Sequence, residues 1–443
     1  MAAALHAGPG PVAPRRPLPA PDALRGRRRL GRSGVRVSGR AGARLAALAV
    51  AALAVPLAPG APASAVPAAA AALAEGPDCL ATGEDADRKV KGVNEANEAL
   101  QVPEASAIAA RADRRPGQGV RVVVVDTEIP GGAALGARPD LASAHGLTAA
   151  GIVGGQPQTD PSVDAGIAPA ADVVPAKFYD VPRGQESDGE STPSSGALAR
   201  ALDEVDVRGR TIVLVPAVVA GSDDLQHALA RLHRAGALVI APAGDVPAEG
   251  AGFLEEYAEV KPGQDAAADV WPAADPDVVA VGISSPEWQA RALRNSAVDL
   301  AAPGAGSVSI GVQGGWCVVT EGSTEWAAAQ VAGVAALVWS VHDDDTADEL
   351  RKRLEATASG NGQASPLTGF GVVQPVEALQ RPVESMEGQA RRNEVVPRGT
   401  VPAERADLLA GTRRDAVWWG LGGGGALVVL LVLRPVLARR RGR

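Results

Sequence analysis

Gly119-Val120-Arg121-Val122-Val123-Val124-Val125-Asp126-Thr127 is the stretch on which the fold turns. It is a short, almost wholly apolar run, opened by a glycine and closed by an Asp-Thr pair. Such a run reads as a strand buried on both faces. Two more runs of this kind follow, Thr211 to Val215 and Ala237 to Ala241. Helical patterns fall between them, at Ser195 to Val205 and Asp224 to Ala235. Strands alternating with helices predict an α/β domain of three layers, with helices on both faces of a central, mostly parallel sheet. There is no internal repeat.

The rest of the chain sets the context of that sheet. Its 443 residues hold only 3% aromatics, but Ala, Val and Leu are plentiful enough for a sizeable core. Gly 52 and Pro 35 imply many turns and some linker. The net charge of −8 argues against nucleic acid as the main partner. Positive charge crowds the two ends and leaves the middle acidic, which is a topology signal rather than a binding patch.

At the N-terminus an Arg-rich stretch, Arg25 to Arg44, precedes an apolar run from Leu45 to Leu57 and a small-residue site at Ala63-Ser64-Ala65. Basic, apolar and small-residue segments in that order predict a secretory signal peptide cleaved after Ala65. The basic region is long, which leaves a start later than Met1 open. At the other end, Ala416 to Leu433 is an apolar run of roughly 18 residues, just enough to cross a hydrocarbon core as a helix. Trp418 and Trp419 fall where an interface belt belongs. Arg434, Arg439, Arg440, Arg441 and Arg443 follow, and the positive-inside rule puts them in the cytoplasm. The expected protein is held in the cell membrane by a single C-terminal span, its main domain outside the cytoplasm.

The chain therefore divides into a signal peptide (1–65), an irregular extension (66–100), the α/β domain (101–380), a polar linker (381–415), a membrane helix (416–437) and a basic tail (438–443). Its two cysteines, Cys79 and Cys317, both lie in the exported part. An even pair in an oxidising compartment favours one disulfide, pinning the extension to the domain; two free buried thiols are the alternative.

In a parallel sheet, function collects at the carboxyl ends of the strands. Asp126 ends the first strand, and His145 follows about 19 residues later at the head of His145-Gly146-Leu147-Thr148-Ala149-Ala150-Gly151. Those small residues suit a helix packed tightly against its neighbours. Asp before His is the chain order of one of the convergent Ser-His-Asp arrangements. Taken alone, the pair equally fits a turn-capping Asp and a structural His.

The remaining segments sharpen this, because residues 101–380 resemble the subtilisin-like serine proteases, peptidase S8, and most closely their mycosin branch associated with type VII secretion. Val125-Asp126-Thr127 and His145-Gly146 with Ala150-Gly151 look like that family's catalytic Asp and His segments. Gly166-Ile167-Ala168-Pro169, Trp271-Pro272-Ala273 through Gly282, Leu300-Ala301-Ala302-Pro303-Gly304 and Gly369-Phe370-Gly371-Val372-Val373 resemble its scaffold motifs. The resemblance implies a subtilisin-like fold and, as partner, a type VII secretion membrane complex. No cofactor or metal is expected, and the residues are silent on calcium.

The nucleophile segment departs from the family pattern, which places its Ser in Gly-Thr-Ser before a helix reaching Ala-Gly. Here the stretch is Gly322-Ser323-Thr324-Glu325-Trp326-Ala327-Ala328-Ala329-Gln330-Val331-Ala332-Gly333. Counting back from Ala332-Gly333 without a gap puts Glu325 at the nucleophile position. An insertion would put Thr324 or Ser323 there instead, at the cost of turning every later helical side chain by about 100°. The family's oxyanion-hole Asn falls on Asp245, in Ala243-Gly244-Asp245. An amide there donates to an oxyanion, whereas an ionised carboxylate only repels it. Glu128 stands where a Gly usually follows Asp-Thr, and Pro216 falls near the strand that pairs with substrate. Three functions follow as expectations. One is a pseudoprotease that binds or scaffolds, with His145 protonated beside Glu325. The second is an active serine-type endopeptidase with peptide or protein substrates, acting through displaced Thr324 or Ser323. The third uses Glu325 and Asp245 as an acid/base carboxylate pair.

Overall fold

The computed structural model describes residues 73–80, 89–129, 141–248, 252–259, 261–312 and 314–382, with Gly425, Ala426, Val428, Val429 and Leu431. Every described residue lies within one unit of the chain, 68–443. The chain passes through α1 (Glu95–Ala99), α2 (Val102–Arg111), β1 (Val120–Asp126), α3 (His145–Gly154), β2 (Gln158–Thr159), β3 (Ser162–Val163) and β4 (Asp172–Lys177). It continues through α4 (Ser195–Asp203), β5 (Arg210–Leu214), α5 (Asp223–Arg234), β6 (Leu238–Pro242), β7 (Val278–Ile283) and β8 (Leu300–Ala302). β9 (Val308–Ile310), β10 (Trp316–Val318), α6 (Thr324–Val341), α7 (Ala347–Thr357) and α8 (Pro375–Gln380) close the domain.

Six strands form one sheet in the order β4-β1-β5-β6-β7-β8, and every neighbouring pair is parallel. The alternation of side chains explains why these strands read as continuous apolar runs. Val122 and Val124 of β1, Ile212 and Leu214 of β5, and Leu238 and Ile240 of β6 enter one core with α2, α3, α6 and α8. Val123 and Val125, Val213 and Val215, and Val239 and Ala241 enter a second core on the opposite face, with α4 and α5. Each Val, Leu or Ile moved fully out of water contributes roughly 1.5–3 kcal/mol, so both faces hold the sheet. The three-layer α/β architecture is the expected one.

Helix boundaries follow from caps. α4 and α5 start where Ser194 and Ser222 accept from the backbone N–H three residues on. α5 buries Leu225, Ala228, Leu229 and Leu232, one stripe at helical spacing. α6 differs, being buried almost all round from Thr324 to Ser340, as befits a helix at the centre of a domain. It runs from Thr324 to Val341 without interruption. In α3, a side chain at Gly151 would collide with Ser309 and the backbone of Ile310, so the small residues let this helix close on β9.

The extension is not irregular where it is described. Glu75 and Lys91 exchange backbone hydrogen bonds of 2.7 and 2.9 Å. Asn94 caps α1, and the side-chain amides of Asn94 and Asn97 both donate to the Ala165 carbonyl, at 2.9 and 3.0 Å. The Cys79 N–H donates to Val318 O at 3.0 Å, and Cys79 and Cys317 form a disulfide. Of these anchors the sequence reading named the disulfide; the others have no period in the sequence. The signal peptide lies outside the described residues, as do the linker beyond Pro382 and most of the C-terminal apolar run. Within that run Gly425, Ala426, Val428, Val429 and Leu431 are helical and exposed. Among the described residues no helix is long and apolar enough to cross a membrane.

Candidate functional site

The site forms where β1, α3 and α6 meet at the carboxyl end of the sheet. β1 delivers Asp126, which is fully buried, and α3 begins with His145, 5% exposed. The Thr127 hydroxyl accepts from Gly146 N at 2.9 Å, so the start of α3 is tied to the end of β1 by the residue between strand and loop. Asp126 in turn accepts from Thr127 N at 2.6 Å and from His145 Nδ1 at 3.0 and 2.9 Å through its two oxygens.

The other ring nitrogen, His145 Nε2, faces Glu325 Oε2 at 3.1 Å. Glu325 stands in the first turn of α6, where the helix dipole favours a carboxylate. The indole of Trp326 covers the imidazole, their ring centroids 4.6 Å apart. With a carboxylate on each nitrogen, both must donate, and that is the imidazolium form. Burial works against the charge, but Asp126 and then Glu325 outweigh it and hold the pKa up at about 10.

The hydroxyls of this segment point elsewhere. Ser323 Oγ accepts from Trp326 N at 3.2 Å and caps α6. Thr324 is fully buried, and its Oγ1 donates to Asp245 Oδ2 at 3.1 Å. Asp245 also accepts from Thr324 N, at 3.0 and 3.2 Å, so it acts as a second cap on α6. Burial, followed by the Glu325 charge, raises the Asp245 pKa to about 7 against the pull of the Thr324 donors. The structure thus brings Asp126, His145 and Glu325 into one chain of contacts and sets Asp245 with Thr324 beside it. Cys79 and Cys317 are remote partners of each other.

Two participants carry no mark in the sequence. Tyr179, just past β4, donates from its hydroxyl to Asp126 Oδ1 at 2.9 Å and lies 3.2 Å from His145 Nδ1. Its own pKa is held well above the usual phenol value by burial and then by Asp126. Arg183 is the second, its guanidinium donating to the carbonyls of Val218 and Pro193, with burial lowering its pKa against the Glu325 charge. The only signal was that both follow a strand whose neighbour ends in Asp126. Among the described residues no group of three or more His, Cys, Asp or Glu is placed to hold a metal ion. A cavity of about 330 Å³ lies elsewhere, lined by Asp265, Arg294, Ser296 and Pro366, and takes no part in the site.

Chemically, the arrangement holds a proton and does not abstract one. A general base needs a free lone pair directed at the group it deprotonates, and here Nε2 is already spent on a carboxylate.

Comparison with known proteins places this geometry. Residues 117–373 match the profile of peptidase S8, the subtilase family. Among solved structures, the MycP3 protease from the type VII (ESX-3) secretion system is 24% identical, with TM-score 0.50 over 70% of this chain and 94% of that one. MycP1 from Mycobacterium smegmatis is 22% identical, with TM-score 0.52 over 70% of this chain and 90% of that one. A chain of an intact ESX-5 inner membrane complex is 21% identical, with TM-score 0.52 over 83% of this chain and 94% of that one. At these identities the likeness is one of fold.

Proposed function

This chain belongs to the subtilase family, and from that premise we propose that it is a pseudoprotease, an exported and membrane-anchored subtilisin-fold domain that binds a protein partner and does not cut peptide bonds. The observation that carries this reading is the 3.1 Å contact between His145 Nε2 and Glu325 Oε2. A serine-type peptidase uses that nitrogen to take the proton of an attacking hydroxyl. A carboxylate there has no hydroxyl proton to yield and keeps the ring charged. Loss of a triad nucleophile lowers turnover by roughly 10⁶, and loss of an oxyanion donor by about 10²–10³. Asp245 at the oxyanion position adds the second penalty to the first.

The commitments of Ser323 and Thr324 count against a displaced nucleophile, since one caps α6 and the other is turned to Asp245. An acid/base pair of Glu325 and Asp245 requires both at His145 within a closed cleft. Asp245 is directed at Thr324 instead, and the Glu325 side chain is 30% exposed. Membrane anchoring is supported by the apolar run Ala416 to Leu433, by the exposed helical residues Val428, Val429 and Leu431, and by the basic residues that follow. A partner of the type VII secretion class is supported by the fold-level likeness to a chain of the ESX-5 inner membrane complex.

The test is covalent labelling of the full chain by a fluorophosphonate probe, beside a Glu325→Ser/Asp245→Asn double variant assayed on a peptide mixture. The natural chain stays unlabelled and inactive, and labelling and turnover appear in the double variant alone. Modification of Ser323 or Thr324 in the natural chain would sink the reading.

A further inference from the structure

Between β4 and α4 the chain makes a compact loop whose ends are tied. Asp180 N donates to Ser191 O at 2.9 Å, and Asp180 Oδ2 accepts from the Ser191 N–H and hydroxyl at 2.8 and 2.6 Å. Such closed loops are frequent carriers of function. Gly184 and Gly189, at φ +84° and +91°, give it its two sharp turns, and residues 185–189 between them are exposed. One side chain of this loop turns inward toward the site. Arg183 Nη1 donates to Val218 O at 3.0 Å, Nη2 donates to Pro193 O, and the guanidinium lies 4.6 Å over the Phe253 ring. Burial lowers the Arg183 pKa against the pull of the Glu325 and Glu186 carboxylates.

Two carbonyls reached by one planar fork and an aromatic face are ingredients of arginine recognition, and neither selects for the rest of the residue that carries the guanidinium. The Val218 carbonyl belongs to the segment leaving β5, next to Val219, whose N–H and C=O are already paired with Trp271. A polypeptide approaching the site beside Glu325 therefore meets acceptors that the chain fills itself.

We propose that Val218, Pro193 and Phe253 form a guanidinium-binding subsite that Arg183 occupies in cis and that an arginine side chain of a partner polypeptide takes over when the Asp180–Ser191 loop lifts. The proposal rests on the binding role proposed above and names the chemistry a partner must present. Arg183 acts as a stand-in ligand, which keeps the subsite closed until a better-placed arginine competes for it.

The test is binding of N-acetyl-arginine methylamide to the full chain and to Arg183→Ala, followed by calorimetry or ligand-observed NMR. The alanine variant binds it about tenfold or more tightly than the natural chain, as expected when an aromatic contact and charged hydrogen bonds are freed together. The citrulline analogue, which is uncharged but isosteric, shows no such gain. Adding Phe253→Ala to Arg183→Ala abolishes the gain. Equal binding by the natural and alanine chains, or equal binding of the citrulline analogue, overturns the proposal. Should Arg183→Ala fail to fold, Arg183→Lys keeps the charge without the fork and must show the same preference for arginine over citrulline; its absence there is equally fatal. Hydrolysis by the Glu325→Ser/Asp245→Asn variant plays no part in this readout, so the subsite and the pseudoprotease reading can fail separately.

Discussion

His145 and Glu325 meet at 3.1 Å across the boundary between α3 and α6, while Asp126 holds the opposite edge of the same ring. The consequence is electrostatic before it is functional. A ring with an acceptor at each nitrogen is most stable charged, and a charged ring is a clamp between helix and strand rather than a base. The folded-state pKa of about 10 lies above the ordinary value of 6.5. The stability this contributes is complete below pH 6.5 and is lost as pH rises through about 10.

Replacing Glu325 by Gln removes one of the two anions and leaves the geometry nearly unchanged. The His145 pKa falls by about 1–2 units, because an opposite charge at hydrogen-bond distance is worth that much. Titration of the imidazole protons by NMR reads this directly. An unchanged pKa would mean that Asp126 alone holds the proton.

Asp245 acts in the same direction over a lower pH range. Its pKa is raised to about 7 from 3.8, chiefly by burial. Between those two values the unfolded chain has lost a proton that the folded chain retains, so its contribution to stability declines from about pH 4 to pH 7 and stays low above. Asp245→Asn keeps an acceptor for Thr324 N and removes the titration. The variant melts higher than the natural chain at pH 8, by about 2–4 °C for each kcal/mol gained, and the difference shrinks toward pH 4. A variant less stable at pH 8 would show that the carboxylate cap on α6 outweighs its burial.

Gln330, fully buried on α6, accepts from Gly304 N at 2.9 Å and donates to Ser307 Oγ at 2.9 Å and Ala305 O at 3.3 Å. Gln330→Leu leaves these groups unpaired inside the core. The urea midpoint drops by the equivalent of about 2–4 kcal/mol with an unchanged slope. A loss under 1 kcal/mol would mean that the 304–307 segment finds other partners.

Removing both cysteines, as Cys79→Ala/Cys317→Ala, releases a link between residues 238 apart. The loss is about 2–5 kcal/mol by denaturant unfolding. Amide exchange separates its origin: residues 73–80 lose protection first, while β1 exchanges as before. Uniform loss of protection across the domain would argue that the extension is part of the global folding unit.

Much of this arrangement was legible in the residues because it is periodic or local. β1 announced itself by a run of valines, and Glu325, singled out by the gap-free count along α6, lies 3.1 Å from His145 Nε2. Asp245 was legible by its place after the buried run that became β6. Tyr179 and Arg183 were not legible, since each acts through a contact distant in the chain, Tyr179 with Asp126 across β1 and β4, Arg183 with the Val218 carbonyl beyond α4 and β5. The polar anchors of the extension were not legible for the same reason. Asn94 and Asn97 give no pattern until Ala165 is folded against them.

The tie between Cys79 and Cys317, with the Cys79 N–H on the Val318 carbonyl, also sets an order of events. A chain synthesised from its N-terminus presents the first half of this fastening early and the second only after β8 has emerged. Contacts that span so much of the chain form slowly, because a large loop must close before they give anything back. The residues around Cys79 are thus the last of the domain to be secured, and until then they remain open to oxidants, proteases and chaperones.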